Sequence, residues 1–462
     1  MDSLDALSPL DGRYREKTKG LASIFSERGL MRHRLIVEGE YLIGLSEHPG
    51  VNVRSFSDEE LGLIRGLYNL SLDGAREIKA IETMGYWGIQ KTNHDVKAVE
   101  YYIKRKLGST SLEDCLEATH FALTSEDDNN LAYGMMLSEG LDHFILPALE
   151  TLKGRIDEFA QRYRGLPMLS RTHGQPASPT TVGKEFKVFS SRLGRQIEKL
   201  RKQEILVKLN GASGNYNAHQ VAYPSVDWIE FTKDFIEGFN KRGYPRLVPN
   251  FVTTQIESHD SYAELFNTLG RINNILIDFS QDMWRYISDE WFVQKSVEGE
   301  TGSSTMPNKI NPIDFENGEG NAGLSNALSN FFSAKLPISR LQRDLSDSTV
   351  ERNFGVAFGY SLVGYTSLLK GLGKLDMNVD RVTEDLENRP EVIAEAVQTI
   401  LRRENVSGAY EQLKDLTRGK KVTMDDFGMF IAGLDVSDSV KEELRAINPR
   451  SYTGLADKLV DY

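Results

Sequence analysis

The sequence predicts an all-α fold built on long helices. Apolar residues recur at helical spacing through several long runs, and segments with strand-like alternation are scarce. The apolar stripes are also wide, and helices with more than one apolar face usually bury the second face against neighbouring subunits. Helices of this length fit a bundle better than a globin-like packing.

We place an N-terminal helical domain at residues 1–110. Its most distinct helix is expected through Val96, Val99 and Tyr102. Asn93, His94 and Asp95 precede this helix and can form its capping turn.

A central long-helix bundle is expected at residues 111–375. Its first long helix extends through Phe159, with Asp127 or Asp128 as the predicted cap. Pro147 should kink this helix without ending it, because the apolar spacing resumes beyond the proline. Four later helices are predicted from the apolar sets Val182, Phe186, Phe189, Leu193, Ile197 and Leu200; Leu265, Leu269, Ile272, Leu276, Phe279 and Met283; Leu324, Leu328 and Phe331; and Val356, Tyr360, Leu362 and Leu369.

Two regions complete the organisation. The segment from Phe239 to Asn250 contains Gly243, Pro245 and Pro249 and is interpreted as a surface loop. Residues 376–462 are predicted to form a C-terminal helical domain.

Composition narrows the class of function. The chain of 462 residues has a net charge of −12, which argues against a general nucleic-acid binder, so an anionic substrate must meet a local basic cluster. The single cysteine, Cys115, excludes an intramolecular disulfide and a cysteine-rich metal site, as expected for a reducing cytoplasm. The sequence has neither a secretory signal pattern nor a membrane-spanning apolar run, so we expect a soluble protein.

The segment 299–312 is the most informative part of the sequence. It combines the hydroxyl pair Ser303 and Ser304 with Lys309, and it is bordered by glycines and prolines. Glycines allow backbone motion and prolines stiffen it, which is typical of a lid that closes over a substrate. Composition alone favours a helix cap and connector over a lid.

The order of the residues in this segment supports the lid. GSSTMPNKINP closely resembles the GSSxMPxKxNP loop of the fumarase/aspartase superfamily, whose members cleave C–N or C–O bonds by β-elimination and release fumarate. Within the superfamily, the chain is most similar to adenylosuccinate lyases of the bacterial type. Further matching blocks follow in the same order along the chain: SPLDGRY, KTNHDVKAVEYY, TSEDDNN, SRTHGQPASPTTVGKE, NGASGNYNAH, TTQIESHD and SRLQRDLSDSTVERN.

The resemblance implies a general base and a group that stabilises negative charge. Elimination requires removal of a proton beside a carboxylate, and the resulting dianion must be stabilised. Ser303 matches the family's base, and a serine in this role must be held as an alkoxide by nearby donors and positive charge. Lys309 and backbone N–H groups of the lid are the expected stabilisers. Without the resemblance, Ser303 would be interpreted as bonding to the loop backbone.

The resemblance also implies a general acid. His173 in SRTHGQP matches the family's proton donor, and imidazolium can donate a proton near neutral pH. Glu316 matches the carboxylate that orients this histidine. The alternatives are a structural histidine and a solvated glutamate at a helix start.

His94 matches a second family histidine, whose implied role is to hold the substrate near the leaving group or the phosphate. A capping turn before the following helix is the alternative. The chain carries MGYWGIQ at residues 84–90, where the family pattern is shorter, so this loop departs from the family pattern.

The substrates of the family carry a phosphate and succinyl carboxylates, so cationic and hydroxyl donors are required. Matched positions for the phosphate are Arg13, Tyr14, Arg343, Ser348, Thr349 and Arg352, and those for the carboxylates are Thr124, Ser125, Lys309 and Asn317. Gln255 can hydrogen-bond to the nucleobase of the substrate or to its carboxamide equivalent. Asn93, Asp95, Val350 and Glu351 complete the substrate-binding set implied by the matched blocks.

The leading hypothesis is therefore cleavage of adenylosuccinate to AMP and fumarate, and of the related succinylcarboxamide ribotide to its carboxamide. The implied assembly is a homotetramer whose active sites draw residues from three chains. We expect no metal, organic cofactor, nucleic acid or membrane partner. The alternatives are another lyase of the superfamily, such as argininosuccinate lyase, fumarase or aspartase, and a non-catalytic helical scaffold.

Overall fold

A computed structural model describes residues 2–296, 299, 305–306, 308–419 and 421–462. Helices dominate these residues, which confirms the predicted all-α class. Ser303 lies outside the described residues, as does most of the N-terminal half of the predicted lid.

Within these residues, nineteen α-helices follow one another. Their bounds are α1 Arg15–Phe25, α2 Glu27–Glu47, α3 Asp58–Gly66, α4 Leu72–Thr83, α5 Asp95–Leu107, α6 Ser125–Gly140, α7 Leu146–Arg162, α8 Val182–Arg201, α9 Asn217–Ala222, α10 Trp228–Lys241, α11 Asp260–Ser288, α12 Ile313–Lys335, α13 Ser346–Glu351, α14 Phe354–Lys374, α15 Val379–Glu387, α16 Ala394–Arg403, α17 Ala409–Thr417, α18 Met424–Ala432 and α19 Asp438–Ala446.

Short strands form three small sheets of two strands each in the described part of the chain. The antiparallel pairs are β1 Pro167–Thr172 with β2 Gln175–Thr181 and β5 Phe292–Gln294 with β6 Leu375–Met377, and the parallel pair is β3 Ile205–Val207 with β4 Leu247–Pro249. Only β1 and β2 among these strands are longer than three residues, and both contain prolines and serines that hide an alternating pattern, so the sequence did not reveal them.

The chain divides into two compact units, each drawn from three separate segments. Unit 1 comprises residues 1–149, 196–274 and 320–366, and unit 2 comprises residues 150–195, 275–319 and 367–462. The three-domain division at residues 110 and 375 remains a prediction.

The core of unit 1 centres on α2 and α6, which pack against each other. Both helices are buried on nearly all faces and include charged residues on their buried faces. One apolar cluster joins α2 to α4 and α5 through Leu35, Ile78 and Val99. A second, aromatic cluster places Phe266 with its ring centroid 4.8 Å from Phe332 and 5.1 Å from Phe354.

The core of unit 2 centres on Phe186 of α8. Its ring stacks on Phe159 at 5.1 Å, and it meets Phe279 of α11 at 6.0 Å and Phe292 of β5 at 5.7 Å. The apolar spacing that predicted α8 and α11 therefore marks their buried faces correctly.

The long helix predicted through Phe159 is present, with a local irregularity and a different cap. A π-helical turn at Leu141–Ile145 joins α6 to α7, so the helical path continues past Pro147 as predicted. A wide turn suits this place, because a proline lacks the N–H and crowds the carbonyl four residues earlier. Asp127 and Asp128 were the wrong caps: Thr124 is the N-cap, and Asp127 accepts its backbone N–H at 2.9 Å from the third helical position.

The surface-loop interpretation of Phe239 to Asn250 was also wrong. The first three residues end α10, and the last residues include strand β4. Phe239 and Leu247 are each 1% exposed, and Arg246 is 6% exposed. Glycine and proline mark turns, but they do not reveal whether the flanking side chains are buried.

Candidate functional site

The predicted site residues divide between the two units. Unit 1 holds Arg13, Tyr14, Asn93, His94, Asp95, Thr124, Ser125, Gln255, Arg343, Ser348, Thr349, Val350, Glu351 and Arg352, and unit 2 holds His173, Lys309, Glu316 and Asn317.

The start of α6 organises the group in unit 1. Residues 126–130, EDDNN, are all buried, an unusual position for a polar run. Their side chains turn in several directions around the helix: Glu126 towards Arg343, Asp127 towards Lys208, and Asn129 towards Arg34. The polar run is therefore a set of attachment points for other segments, and Thr124 and Ser125 stand beside it, half-buried.

Arg343 joins this helix to Gln255. Its guanidinium lies 3.1 Å from Glu126 Oε2, and it donates to Gln255 Oε1 at 3.5 Å. Burial raises the pKa of Glu126, the nearby Glu351 carboxylate raises it further, and Arg343 opposes both effects. The structure thus brings Ser125, Gln255 and Arg343 into one neighbourhood.

Asp95 forms the second ionic centre of this group. Its Oδ2 atom accepts from the guanidinium groups of both Arg34 and Arg352 at 2.8 Å. Burial favours the neutral acid, but the two arginines outweigh burial and hold the pKa of Asp95 well below its ordinary value. Asp95 is therefore ionised, and its binding to the substrate would be indirect, through Arg352.

His94 is positioned by the helix that follows it. It is the N-cap of α5, and its Nδ1 atom accepts the backbone N–H of Lys97 at 3.2 Å. A ring nitrogen that accepts carries no proton, so the neutral ring has its hydrogen on Nε2. Nε2 lies 3.3 Å from Ser125 Oγ, and the His94 side chain is half exposed. The capping turn and a substrate contact are compatible, because they use different ring atoms.

Residues 84–90 pack against α5. The bridge between Tyr86 and Ile89 closes a tight turn, and Trp87 adopts a φ of 54°. The Trp87 ring stacks on Tyr102 at 6.3 Å, with Lys106 Nζ 5.0 Å from its centroid. This segment therefore braces the helix that His94 caps.

The block at residues 348–352 spans the end of α13. Arg352 and Thr349 are exposed, and Ser348 is half-buried. Glu351 and Val350 are buried, and Glu351 lies 3.3 Å from the buried ring of His259. Burial opposes the charge on His259, but the neighbouring Glu351 carboxylate raises the pKa of His259 to about 9.

Arg13 and Tyr14 lie in a run of turns before α1. Tyr14 donates its backbone N–H to Pro9 O at 2.8 Å, and buried Thr18 donates to Leu10 O at 2.7 Å. The same end of α1 lines a cavity of about 300 Å³ that includes Arg15, Lys19 and Arg352. Basic side chains therefore cluster here although the net charge of the chain is negative.

His173 occupies the tip of the β1–β2 hairpin in unit 2. His173 and Gly174 form a two-residue turn with φ values of 53° and 74°, and Thr172 pairs with Gln175 across it. Positive φ at both positions is what a type I′ hairpin turn requires. The sequence predicted a turn here but not the two strands that present it.

The two strands of this hairpin are held by the C-terminal helices of unit 2. Arg171 donates to Asp385 Oδ2 at 2.9 Å, and Ser178 donates to Glu395. The His173 side chain at the tip is exposed. Strands that are held in place beside an exposed turn suit a side chain that must act on a bound molecule.

Glu316 and Asn317 lie in the first turn of α12. Lys374 Nζ pairs with Asp314 Oδ2 at 2.8 Å and so fixes this helix start. Glu316 accepts from Trp284 Nε1 at 3.2 Å, and Asn317 Oδ1 accepts from Ser367 at 2.7 Å. Among the described residues of unit 2, no hydrogen bond or ion pair joins Glu316 to His173.

Lys309 lies at the end of the predicted lid, with an exposed side chain. Its backbone N–H donates to Met306 O at 3.1 Å, and Gln294 of β5 donates to Ile310 O at 3.1 Å. The end of the segment is thus attached to a strand, whereas the part that contains Ser303 lies outside the described residues.

Two basic residues were missed in the sequence. Arg34 is 3% exposed and holds Asp95, and Lys208 is fully buried beside Asp127. The signal for Lys208 was a lysine between apolar residues in ILVKLNG, and Arg34 gave a similar signal in MRHRLIV. A charged residue at an apolar position is rarely buried without a partner.

The described residues show neither a metal-binding cluster nor a membrane-spanning helix. In the described ranges, no group of three or more histidine, cysteine, aspartate and glutamate side chains is arranged to hold a metal ion. No helix within the same residues is both long and apolar enough to cross a lipid bilayer. The absence of a cofactor remains a prediction.

Comparison with known protein families gives two matches. The family described as Lyase matches residues 12–324, and the family described as Adenylosuccinate lyase C-terminal matches residues 339–453. Together they cover most of both units.

Solved structures with this fold are more distant in sequence. The 3-carboxy-cis,cis-muconate lactonizing enzyme from Pseudomonas putida matches with a TM-score of 0.72 and 19% identity, over 96% of this chain and 95% of that chain. The fumarate lyase from Mesorhizobium sp. BNC1 has the same TM-score with 18% identity, over 96% of each chain. At this identity the likeness confirms the helical fold alone.

Curated relatives are much more similar. The adenylosuccinate lyases of Escherichia coli (strain K12), Vibrio cholerae and Haemophilus influenzae are each 47% identical, over 100% of this chain and 99% of the relative. Identity at this level over the whole length leaves no segment outside the match. The chain therefore belongs to the adenylosuccinate lyase family.

Proposed function

We propose that this chain is an adenylosuccinate lyase. It removes fumarate from adenylosuccinate to give AMP, and from succinylaminoimidazole carboxamide ribotide to give the free carboxamide. The observation that carries this proposal is the 47% identity to the Escherichia coli adenylosuccinate lyase over the full length of the chain. Enzymes of different activity with the same fold are only 18–19% identical, so fold alone would not support this substrate.

The chemical roles follow from what β-elimination requires. Ser303 removes the proton beside a succinyl carboxylate, and Lys309 together with lid N–H groups stabilises the dianion that forms. His173 protonates the departing nitrogen, and Glu316 supports the charged form of that histidine. The exposed position of His173 on a braced turn supports its role as a proton donor to a bound molecule.

The group in unit 1 suits an anionic substrate. Arg343 and Arg352 supply positive charge, and Ser125 and His94 supply polar hydrogens near the same helix start. Arg352 is 42% exposed even while it contacts Asp95, so its guanidinium retains donors for a phosphate. Arg13, Tyr14, Ser348 and Thr349 add further donors, Thr124 binds a succinyl carboxylate, and Gln255 binds the nucleobase or its carboxamide equivalent. In unit 2, Asn317 binds a succinyl carboxylate as well.

The lid and the assembly are parts of the same proposal. Segment 299–312 closes over the substrate and excludes water, which makes a serine alkoxide attainable. The chain acts as a homotetramer in the cytoplasm, and each active site draws residues from three chains. Support for assembly comes from α12, where Leu324 and Phe331 are 51% and 53% exposed.

The test is conversion of defined substrates by the purified protein. We expect AMP and fumarate from adenylosuccinate, fumarate from the carboxamide ribotide, and none from argininosuccinate, with product identities fixed by chromatography. Activity should persist after treatment with a chelator, because no metal has a role. Fumarate from argininosuccinate but no AMP from adenylosuccinate would overturn the substrate assignment.

A further inference from the structure

Lys208 is a buried cation that the proposed reaction does not use directly. Its side chain and that of Asp127 are both 0% exposed, and Lys208 Nζ lies 2.9 Å from Asp127 Oδ1. Lysine is among the residues least often fully buried, so the burial of Lys208 needs a physical reason.

The ammonium group is fully satisfied by the protein. Besides Asp127, it donates to Gly211 O at 2.9 Å and to Gln255 O at 2.7 Å. An ammonium has three N–H donors, and these contacts supply three acceptors. No donor remains for a ligand, which excludes Lys208 from direct contact with substrate.

Asp127 collects donors from two further places. It accepts the N–H of Thr124 at 2.9 Å within its own helix, that of Asn210 at 2.9 Å, and that of Gly211 at 3.1 Å. The ion pair therefore fastens three segments at one point: the start of α6, the loop at 208–214, and the loop at 253–257.

Other contacts hold the same three segments in register. Asn130 Oδ1 accepts the backbone N–H of Lys208 at 2.8 Å, and Gln255 Nε2 donates to Ala212 O at 3.0 Å. A Cβ atom on Gly214 would stand 2.3 Å from Thr253 O, so the two loops touch backbone to backbone. The geometry around Lys208 is thus tightly specified.

Stability alone does not explain the ion pair. Removing two charges from water costs so much that well-packed apolar residues often serve stability equally well. A charged pair does, however, set directions and distances that apolar contacts leave free. Two of the three fastened segments carry Thr124, Ser125 and Gln255, which the proposed function places against the substrate.

We propose that Lys208 and Asp127 are a positioning pair that sets the separation of Ser125 and Gln255 for substrate binding. The proposal rests on the adenylosuccinate lyase function proposed above and assigns a role to two residues that do not touch substrate. Misplacement of contacting groups by about 1 Å can cost about 100-fold in rate, so the pair has a measurable kinetic effect.

The first test is Lys208→Met, which keeps chain length and removes the charge. We expect kcat/KM for adenylosuccinate to fall by about 100-fold, mainly through a higher KM. The matched control is Arg246→Met in the same unit. Arg246 is also a buried cation that binds a carboxylate, Asp142, and a backbone carbonyl, Leu200 O at 2.9 Å, but it contacts none of the predicted site residues. The control should lose thermal stability and keep the KM of the parent.

A double-mutant cycle separates positioning from general loss of structure. If Lys208 acts through Gln255, then Lys208→Met should raise KM far less in a Gln255→Ala background than in the parent. Because Lys208→Met leaves Asp127 unpaired and can fail to fold, the variant carrying both Lys208→Met and Asp127→Asn provides a neutral pair. It should fold and still show the raised KM.

Three results would overturn the positioning role: a parental KM in folded Lys208→Met, a parental KM in the neutral pair, or full additivity with Gln255→Ala. A parent protein that does not convert adenylosuccinate would instead overturn the proposed function, and this is established before any variant is compared.

Discussion

Asp127 and Asp128 are adjacent in the sequence, yet burial gives them different surroundings. Asp127 meets a lysine and three backbone N–H groups, whereas Asp128 faces the carboxylate of Glu38. Burial raises the pKa of Asp128 well above its ordinary value, the charge of Glu38 raises it further, and Arg34 and His120 lower it. Two identical side chains thus differ in chemistry because helix geometry turns them towards different neighbours.

At the proposed base, Ser303→Ala should abolish turnover while substrate still binds. The oxygen that removes the proton is lost, and general-base catalysis contributes about 10²–10⁴-fold, so we expect kcat to fall by at least that range. Steady-state kinetics and equilibrium binding of adenylosuccinate measure the two effects. The matched control, Ser304→Ala, removes a neighbouring hydroxyl and should reduce kcat far less. Parental kcat in Ser303→Ala would refute the assigned base.

At the proposed acid, His173→Ala should leave nucleotide affinity largely intact and lower kcat by about 10²–10⁴-fold, because only proton delivery to the leaving nitrogen is lost. Binding of AMP and single-turnover kinetics separate affinity from chemistry. His143 is exposed in unit 1, and His143→Ala controls for loss of a surface imidazole. Near-normal turnover in His173→Ala would rule out this acid.

His120 predicts a pH-dependent stability. Burial opposes its charge, but the charge and hydrogen bond of buried Glu38 raise its pKa from 6.5 to about 9. Since the folded-state pKa is the higher one, the pair's contribution is full below about pH 6.5 and is lost as the pH rises through about 9.

The variant His120→Gln should therefore melt at a lower temperature than the parent near pH 6, by an amount equivalent to about 3 kcal/mol. The difference should shrink towards pH 10, which thermal unfolding across pH measures. His120 also has a φ of 59°, which adds only a pH-independent offset. A melting difference that is constant from pH 6 to pH 10 would contradict this account.

Among the elements, the β1–β2 hairpin decides where the proposed acid stands. Proline and serine in PMLSRT and QPASPTT obscure the alternation that marks strands, so the sequence indicated only the turn. The strands form because the turn brings them together and because α15 packs against β1. Local propensity is weak here, and tertiary contact supplies the rest.

Two glycines with equal backbone strain allow a matched test. Gly174 at the hairpin tip and Gly214 beside Thr253 have φ values of 74° and 75°. In Gly174→Ala the new methyl group meets open space. The loss of stability is therefore only the energy of holding alanine in the left-handed backbone region, about 1–2 kcal/mol. Gly214→Ala adds a clash with Thr253 O and should cost about 1–3 kcal/mol more. Chemical denaturation measures the free energy of unfolding of both variants. Equal losses of stability would show that the loops carrying Gly214 and Thr253 can separate without strain.

At the scale of the whole molecule, α12 distinguishes what is buried in one chain from what an assembly buries. The spacing of Leu324, Leu328 and Phe331 predicted the helix correctly, but Leu324 and Phe331 are about half exposed. The buried face of this part of α12 is instead formed by Ala322, Ser325, Ser329 and Phe332. A helix with a second apolar face is typical of an oligomer.

The predicted homotetramer is tested by mass. The parent should have the mass of four 52.0 kDa chains in light scattering, and the variant carrying Leu324→Glu and Phe331→Glu should dissociate, because charges on this face are costly to bury. Met429 on α18 is 68% exposed, and Met429→Glu serves as the control that should stay tetrameric. Dissociation should also remove activity if active sites draw on three chains. A parent that is monomeric would refute the assembly.

By itself, the sequence determined the helical class, the main long helices and the family, because these depend on apolar periodicity and on residue order. It also placed the candidate residues near one another where they share a motif, as in Thr124 and Ser125. Only the tertiary structure decided that Arg34 holds Asp95, that Lys208 fastens three segments, and that segment 239–250 is partly buried. These depend on contacts between residues far apart in the chain, and such contacts arise from packing and burial, which leave no periodic signal in the sequence.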